Sequence, residues 1–341
     1  MFLSFPWSWG IFEWKFIDSN SIDCFFRGLV GACGISVLCN LIRVYNLIET
    51  CRDSETKTES KPSLFSLGNL LRRNCIKALQ FWFLTVLLSL VGSRVSSLIV
   101  LEFSLRAVSA WASAGLDARS RGLDLLLTQC QFSLGCALTC TLHFLHQGAP
   151  HSSLSLFLAA ALSWALASAC RSLWSHVARL YPLHSKEGYC GKCSTLLASG
   201  HTILASVQRA VVLAFAIASV ASTSTVYDHF LSQKDALKFW TPLTLCYTLL
   251  VVYIQEDQRR QTGTEAMLHT VVLRLGALLV LMLTMGNWSD VLHVLFSFLG
   301  EAVCLLPSQD LLKAALQEEE EDMRGPPAAR QRNTMKRSSD R

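Results

Sequence analysis

Apolar and polar positions fall into long blocks along this chain: runs dominated by Leu, Val, Ala, Phe and Ser are separated by short segments that carry most of the charge. Runs of roughly 18 to 23 residues are the length a helix needs to cross about 30 Å of hydrocarbon. The pattern predicts membrane spans at residues 24–42, 123–145, 154–174, 201–226, 239–254, 267–285 and 288–306. Residues 78–115 form a still longer apolar stretch, about 57 Å as one helix, which exceeds a single crossing. Gly92, Ser93 and Arg94 are the expected break, because Gly and Ser weaken a helix and Arg prefers the interface. Broken there, the stretch becomes a hairpin of two spans, 78–91 and 95–114.

Orientation favours the hairpin. With nine spans, one side collects Arg52, Lys57, Lys61, Arg72, Arg73, Arg119, Arg121, Arg179, Lys186, Lys192, Arg259, Arg260 and the basic tail, while the other keeps Lys15, Arg94, Lys234 and Lys238. Lys and Arg gather on the cytosolic side of membrane proteins, so the amino end is expected outside or in a lumen and the carboxyl end in the cytosol. A single crossing over 78–115 gives eight spans and largely removes the asymmetry. The expected fold class is an all-α, polytopic transmembrane helical bundle of eight or nine spans, nine being preferred. Three regions follow. Residues 1–23 form an aromatic interfacial segment with Trp7, Trp9 and Trp14, retained because Pro6, Glu13 and Lys15 interrupt any signal-peptide pattern. Residues 24–306 form the bundle. Residues 307–341, acidic over 318–322 and then basic with prolines, form a largely disordered cytosolic tail.

Composition agrees: 51% of the 341 residues are hydrophobic and 16% charged, too apolar for an ordinary soluble domain. The net charge of +5 is spread over many loops, which excludes a nucleic-acid surface. The partners expected are a lipid bilayer and another membrane protein. Most of the 13 cysteines lie inside apolar runs as small hydrophobes. Gly28, Gly31, Ala32 and Gly34 offer a small-residue surface for a close helix neighbour.

Polar chemistry is sparse. Arg94, Glu102, Arg106, Arg274, His293 and Glu301 stand in or beside apolar runs, where ionisable groups are costly and mark functional positions. Glu102 and Arg106 are one helical turn apart and suited to an ion pair. Cys190 and Cys193 form a CxxC spacing, in the segment between His184 and His201, that can hold zinc or a redox dithiol. Neither histidine completes a familiar ligand pattern, so the cysteines are expected to be ordinary thiols, with no metal and no cofactor. The sequon at Asn287, Trp288 and Ser289 lies too near the membrane surface to be modified. No hydrolase, metalloprotease or nucleotide-binding motif occurs in a plausible context, and the chain is expected not to be an enzyme.

Several strings are distinctive: VGSRVSSLIVLEFSLRAVS at 91–109, QGAPH at 147–151, RLY, LHS and YCGKC between Arg179 and Cys193, and FWTPLTLCYTLLVVYIQEDQR at 239–259. Together they resemble the transmembrane protein 82 family from the first membrane segment to about Pro307. The resemblance implies a multi-pass membrane protein and supplies no catalytic residue or cofactor for numbered positions here. Two functions follow from the residues: a transporter or channel-like protein, or a non-catalytic membrane scaffold or accessory subunit. Convergence of Arg94, Glu102, Arg106, Arg274 and Glu301 on a hydrated cavity favours the first; a solid bundle with charges at the rims favours the second.

Overall fold

The structure, a computed structural model, describes residues 19–54, 67–113, 126–147, 152–187, 190–230, 264–285 and 288–305. The expected span at 239–254, the segment before residue 19, the sequon asparagine and the tail after residue 306 lie outside the described residues. Among the described residues there is no strand. The main elements are α1 (Ser19–Ser54), α2 (Leu67–Ser113), α3 (Gln131–His146), α4 (Ser152–Glu187), α5 (Gly191–Phe230), α6 (Thr264–Met285) and α7 (Trp288–Leu305).

Five stretches of these helices are long and apolar enough to cross a membrane: Ser21–Glu49, Ile76–Ser109, Ser152–Arg179, Thr202–Tyr227 and Trp288–Leu305. Within α6 the apolar part, His269–Val280, is shorter. One expectation is corrected. The polar stretch between His184 and His201 has the composition of a loop, but α4 continues to Glu187 and α5 starts at Gly191. Both helices therefore extend past their apolar spans.

Gly92 interrupts α2 with φ 72° and ψ 160°, an extended positive-φ backbone that is essentially restricted to glycine. Contacts on either side show what the interruption does. Before it, the Gln80 amide donates to the Val303 carbonyl at 2.7 Å. After it, Glu102 is joined through Arg274 to Glu301. Gly92 itself lies beside His293, whose ring a Cβ at position 92 would approach to 3.5 Å. Both arms of α2 return to the same end of α7, so the chain folds back on itself at Gly92.

α1 packs against α2, α3, α4 and α5. Its small residues make this possible: a side chain on Gly28 would run into the Thr85 carbonyl at 2.6 Å, and one on Gly31 would meet the Gly135 carbonyl at 2.9 Å. The main core joins Ile35 and Leu38 of α1, Leu88 and Val95 of α2, Phe132 of α3 and Val294 of α7. Short hydroxyl and thiol contacts tie α2 to α3 and to α5, with Ser97 and Cys140 3.1 Å apart and Ser104 and Ser219 3.0 Å apart.

Candidate functional site

The six ionisable residues singled out by sequence divide into two groups. At the turn of α2, Arg94 reaches Asp290 of α7 at 3.5 Å; the arginine side chain is 33% exposed and the aspartate 4%. His293, one turn further along α7, lies beside Gly92. This group sits where Gly92 interrupts α2.

The other four converge in the interior. Glu102 lies ten residues past Gly92, about 15 Å along a helix. Its carboxylate accepts two hydrogen bonds from Arg274 of α6, from Nε at 2.9 Å and from Nη2 at 2.7 Å. That parallel fork is the strongest form of an arginine–carboxylate contact. Arg274 Nη2 also stands 3.5 Å from Glu301 Oε1 on α7. On the other flank, Arg106 Nε is 3.6 Å from Glu102, and Arg106 Nη1 donates to Gln129 Oε1 at 2.8 Å. The exposures of Glu102, Arg106, Arg274 and Glu301 run from 2% to 5%, so no water-filled surface pays for their charge.

Two carboxylates and two guanidinium groups cancel formally, which is the condition for placing four charges in a low-dielectric interior. The cancellation is uneven in hydrogen bonds. Nε and Nη2 of Arg106 make none among the described residues. Phe103 lies under the guanidinium, 5.0 Å from its carbon to the ring centre, and Phe215 of α5 stacks on Phe103 at 4.7 Å. Arg106 is thus held by one amide, one carboxylate at a distance and an aromatic face, with donor capacity left over.

The expected Glu102–Arg106 pairing on one helix face is present, but it is the looser contact. The principal partner of Glu102 is 172 positions away in sequence. Sequence reasoning did not single out Gln129, which bonds Arg106, or Asp290, which pairs with Arg94. Asp290 near the start of its apolar run looks like a boundary residue, Gln129 is uncharged, and nothing in their spacing points to a partner. Cys190 and Cys193 lie apart from this network, beside His176 of α4. Backbone hydrogen bonds, first from Cys193, hold the Cys190 thiol below its ordinary range. Burial pushes that of Cys193 up to about 11.

No solved structure matches this chain. The sequence family described as transmembrane protein 82 matches residues 22–326, nearly the whole length over which apolar helices and buried charges were found. The chain belongs to the transmembrane protein 82 family and is a multi-pass membrane protein.

Proposed function

We propose that this protein is a non-enzymatic transporter or channel-like protein, with the network of Glu102, Arg106, Arg274 and Glu301 as the polar station of its pathway. The observation that supports this is convergence: three helices, α2, α6 and α7, each send ionisable side chains to one buried point. Charge pairs at such depth add little stability over well-packed apolar residues, so their use lies in what they bind or exchange. Arg106, with two donors lacking hydrogen-bond partners among the described residues, suits an anionic group. The reading takes nine crossings, supported by the fold-back at Gly92 and by the lysine and arginine count.

Anion flux into liposomes holding the purified protein tests the proposal, with chloride and small monocarboxylates as probes. A hydrogen bond to a charged group is worth about 1.5–3 kcal/mol, so Arg106→Gln is expected to cut flux at least about tenfold while the protein stays monodisperse. Flux equal to that of empty liposomes for every probe, with wild type well folded, sinks the anion pathway. The scaffold reading would then stand. It has its own support in the outer faces of α4 and α5, where Leu158, Leu162, Val212 and Val220 are exposed and suit lipid or the helix of a membrane-protein partner.

A further inference from the structure

Three metal-ligating atoms meet where α4 ends and α5 begins. Cys190 is the residue just before α5, and Cys193 lies in the first turn of the helix. His176 comes from α4, near the end of its apolar stretch Ser152–Arg179. Its Nε2 is 3.4 Å from Cys190 Sγ and 3.5 Å from Cys193 Sγ, and all three atoms lie within 4.8 Å of one another.

Simple hydrogen bonding accounts poorly for that triangle. An imidazole Nε2 has either one proton or one lone pair, and it serves one thiol well but not two. A zinc ion accounts for it directly. With Zn–S about 2.3 Å and Zn–N about 2.0–2.1 Å, a tetrahedral site has an S···N edge of about 3.6 Å. The S···N distances of 3.4 and 3.5 Å fall within about 0.2 Å of that edge. Two thiolates and a neutral imidazole also carry the two negative charges that balance a divalent cation.

The surroundings fit a bound ion. Val44 and Ile48 of α1, Val177 of α4 and Leu196 of α5 form a small apolar cluster with Cys193, and Trp174 and Leu173 pack on it. An apolar shell limits water access and strengthens metal–thiolate bonding. The lysine and arginine count places this end in the cytosol, where thiols stay reduced and open to metal. We propose that His176, Cys190 and Cys193 bind one zinc-class divalent cation, which ties the end of α4 to the start of α5. This departs from the expectation of ordinary thiols, which considered His184 and His201, and it does not depend on the transport reading.

The full chain, purified in detergent without a polyhistidine tag, is assayed for zinc by mass spectrometry. About one zinc per chain is expected for wild type, with at least about a fivefold drop in His176→Asn and in Cys190→Ser/Cys193→Ser, since a three-ligand site does not survive the loss of one or two. Should the variants fail to fold, wild type alone decides: cobalt added after chelation should produce a sulfur-to-cobalt charge-transfer absorption that zinc then abolishes. Wild type with no zinc and no cobalt–thiolate band overturns the site. So does a Cys190–Cys193 disulfide that persists in chain purified under reducing conditions.

Discussion

Between Arg106 and Arg274, both facing Glu102, the geometry separates a single contact at 3.6 Å from a fork at 2.9 and 2.7 Å, and the energies should follow. Removing one partner of a buried pair costs about 3–5 kcal/mol because the other charge is left uncompensated. Arg274→Met should therefore lower thermal stability in detergent by that order, and Arg106→Met by clearly less. Adding Glu102→Gln to Arg274→Met should recover part of the loss. Exchanging charges within the local pair, Glu102→Arg with Arg106→Glu, should restore nothing, since the arginine so introduced would face Arg274. Equal losses for the two methionine variants would show the fork to be no stronger than the local contact. At this scale the sequence was half legible. A charge in an apolar run is visible as an anomaly, so Glu102, Arg106, Arg274 and Glu301 stood out. Spacing reveals only partners on the same helix, so Arg274 as the counter-ion of Glu102 and His176 as the third ligand atom did not.

Helices and their junctions depend on a few positions that carry no side chain. α7 touches α3 where Gly300 faces Phe132, and an added Cβ would overlap that ring. No atom of the described residues comes within 4 Å of a Cβ added at Gly276 of α6. Gly300→Ala should thus cost on the order of 1–3 kcal/mol through overpacking, although alanine is the better helix former. Gly276→Ala should be neutral or gain up to about 1 kcal/mol. Melting temperatures of the two variants in one detergent compare them directly, and a stable Gly300→Ala would mean that Phe132 has room to move. The elements themselves were marked in part: among the described residues, five helices long and apolar enough to cross a membrane coincide with expected spans, whereas the expected span at 123–145 holds the shorter helix Gln131–His146. The break at Gly92 was legible from helix chemistry and length, and the small residues of α1 from their spacing. The run of α4 to Glu187 was hidden, because Arg179, Pro182 and Lys186 carry the composition of a loop.

Taken as a whole, the chain tests its topology through the two ends of the basic side. Epitope tags inserted near residue 58 and after residue 320 should both be reached only from the cytosolic face of sealed vesicles. Tags on opposite faces would remove one crossing from the 78–115 stretch and leave eight. Length and hydropathy revealed the class of fold because the bilayer imposes both on any spanning helix. They are silent on which helices meet, since lipid-facing and protein-facing apolar residues are chemically alike. The meeting of α2 with α6 has a consequence in time. Glu102 is synthesised 172 residues before Arg274, an interval of roughly 10 to 30 s at ribosomal speeds of about 5–20 residues per second. During that interval α2 carries a carboxylate whose main counter-ion has yet to leave the ribosome. Until α6 arrives Glu102 has only the looser contact with Arg106, and a ribosome that stops before residue 264 leaves the fork unmade.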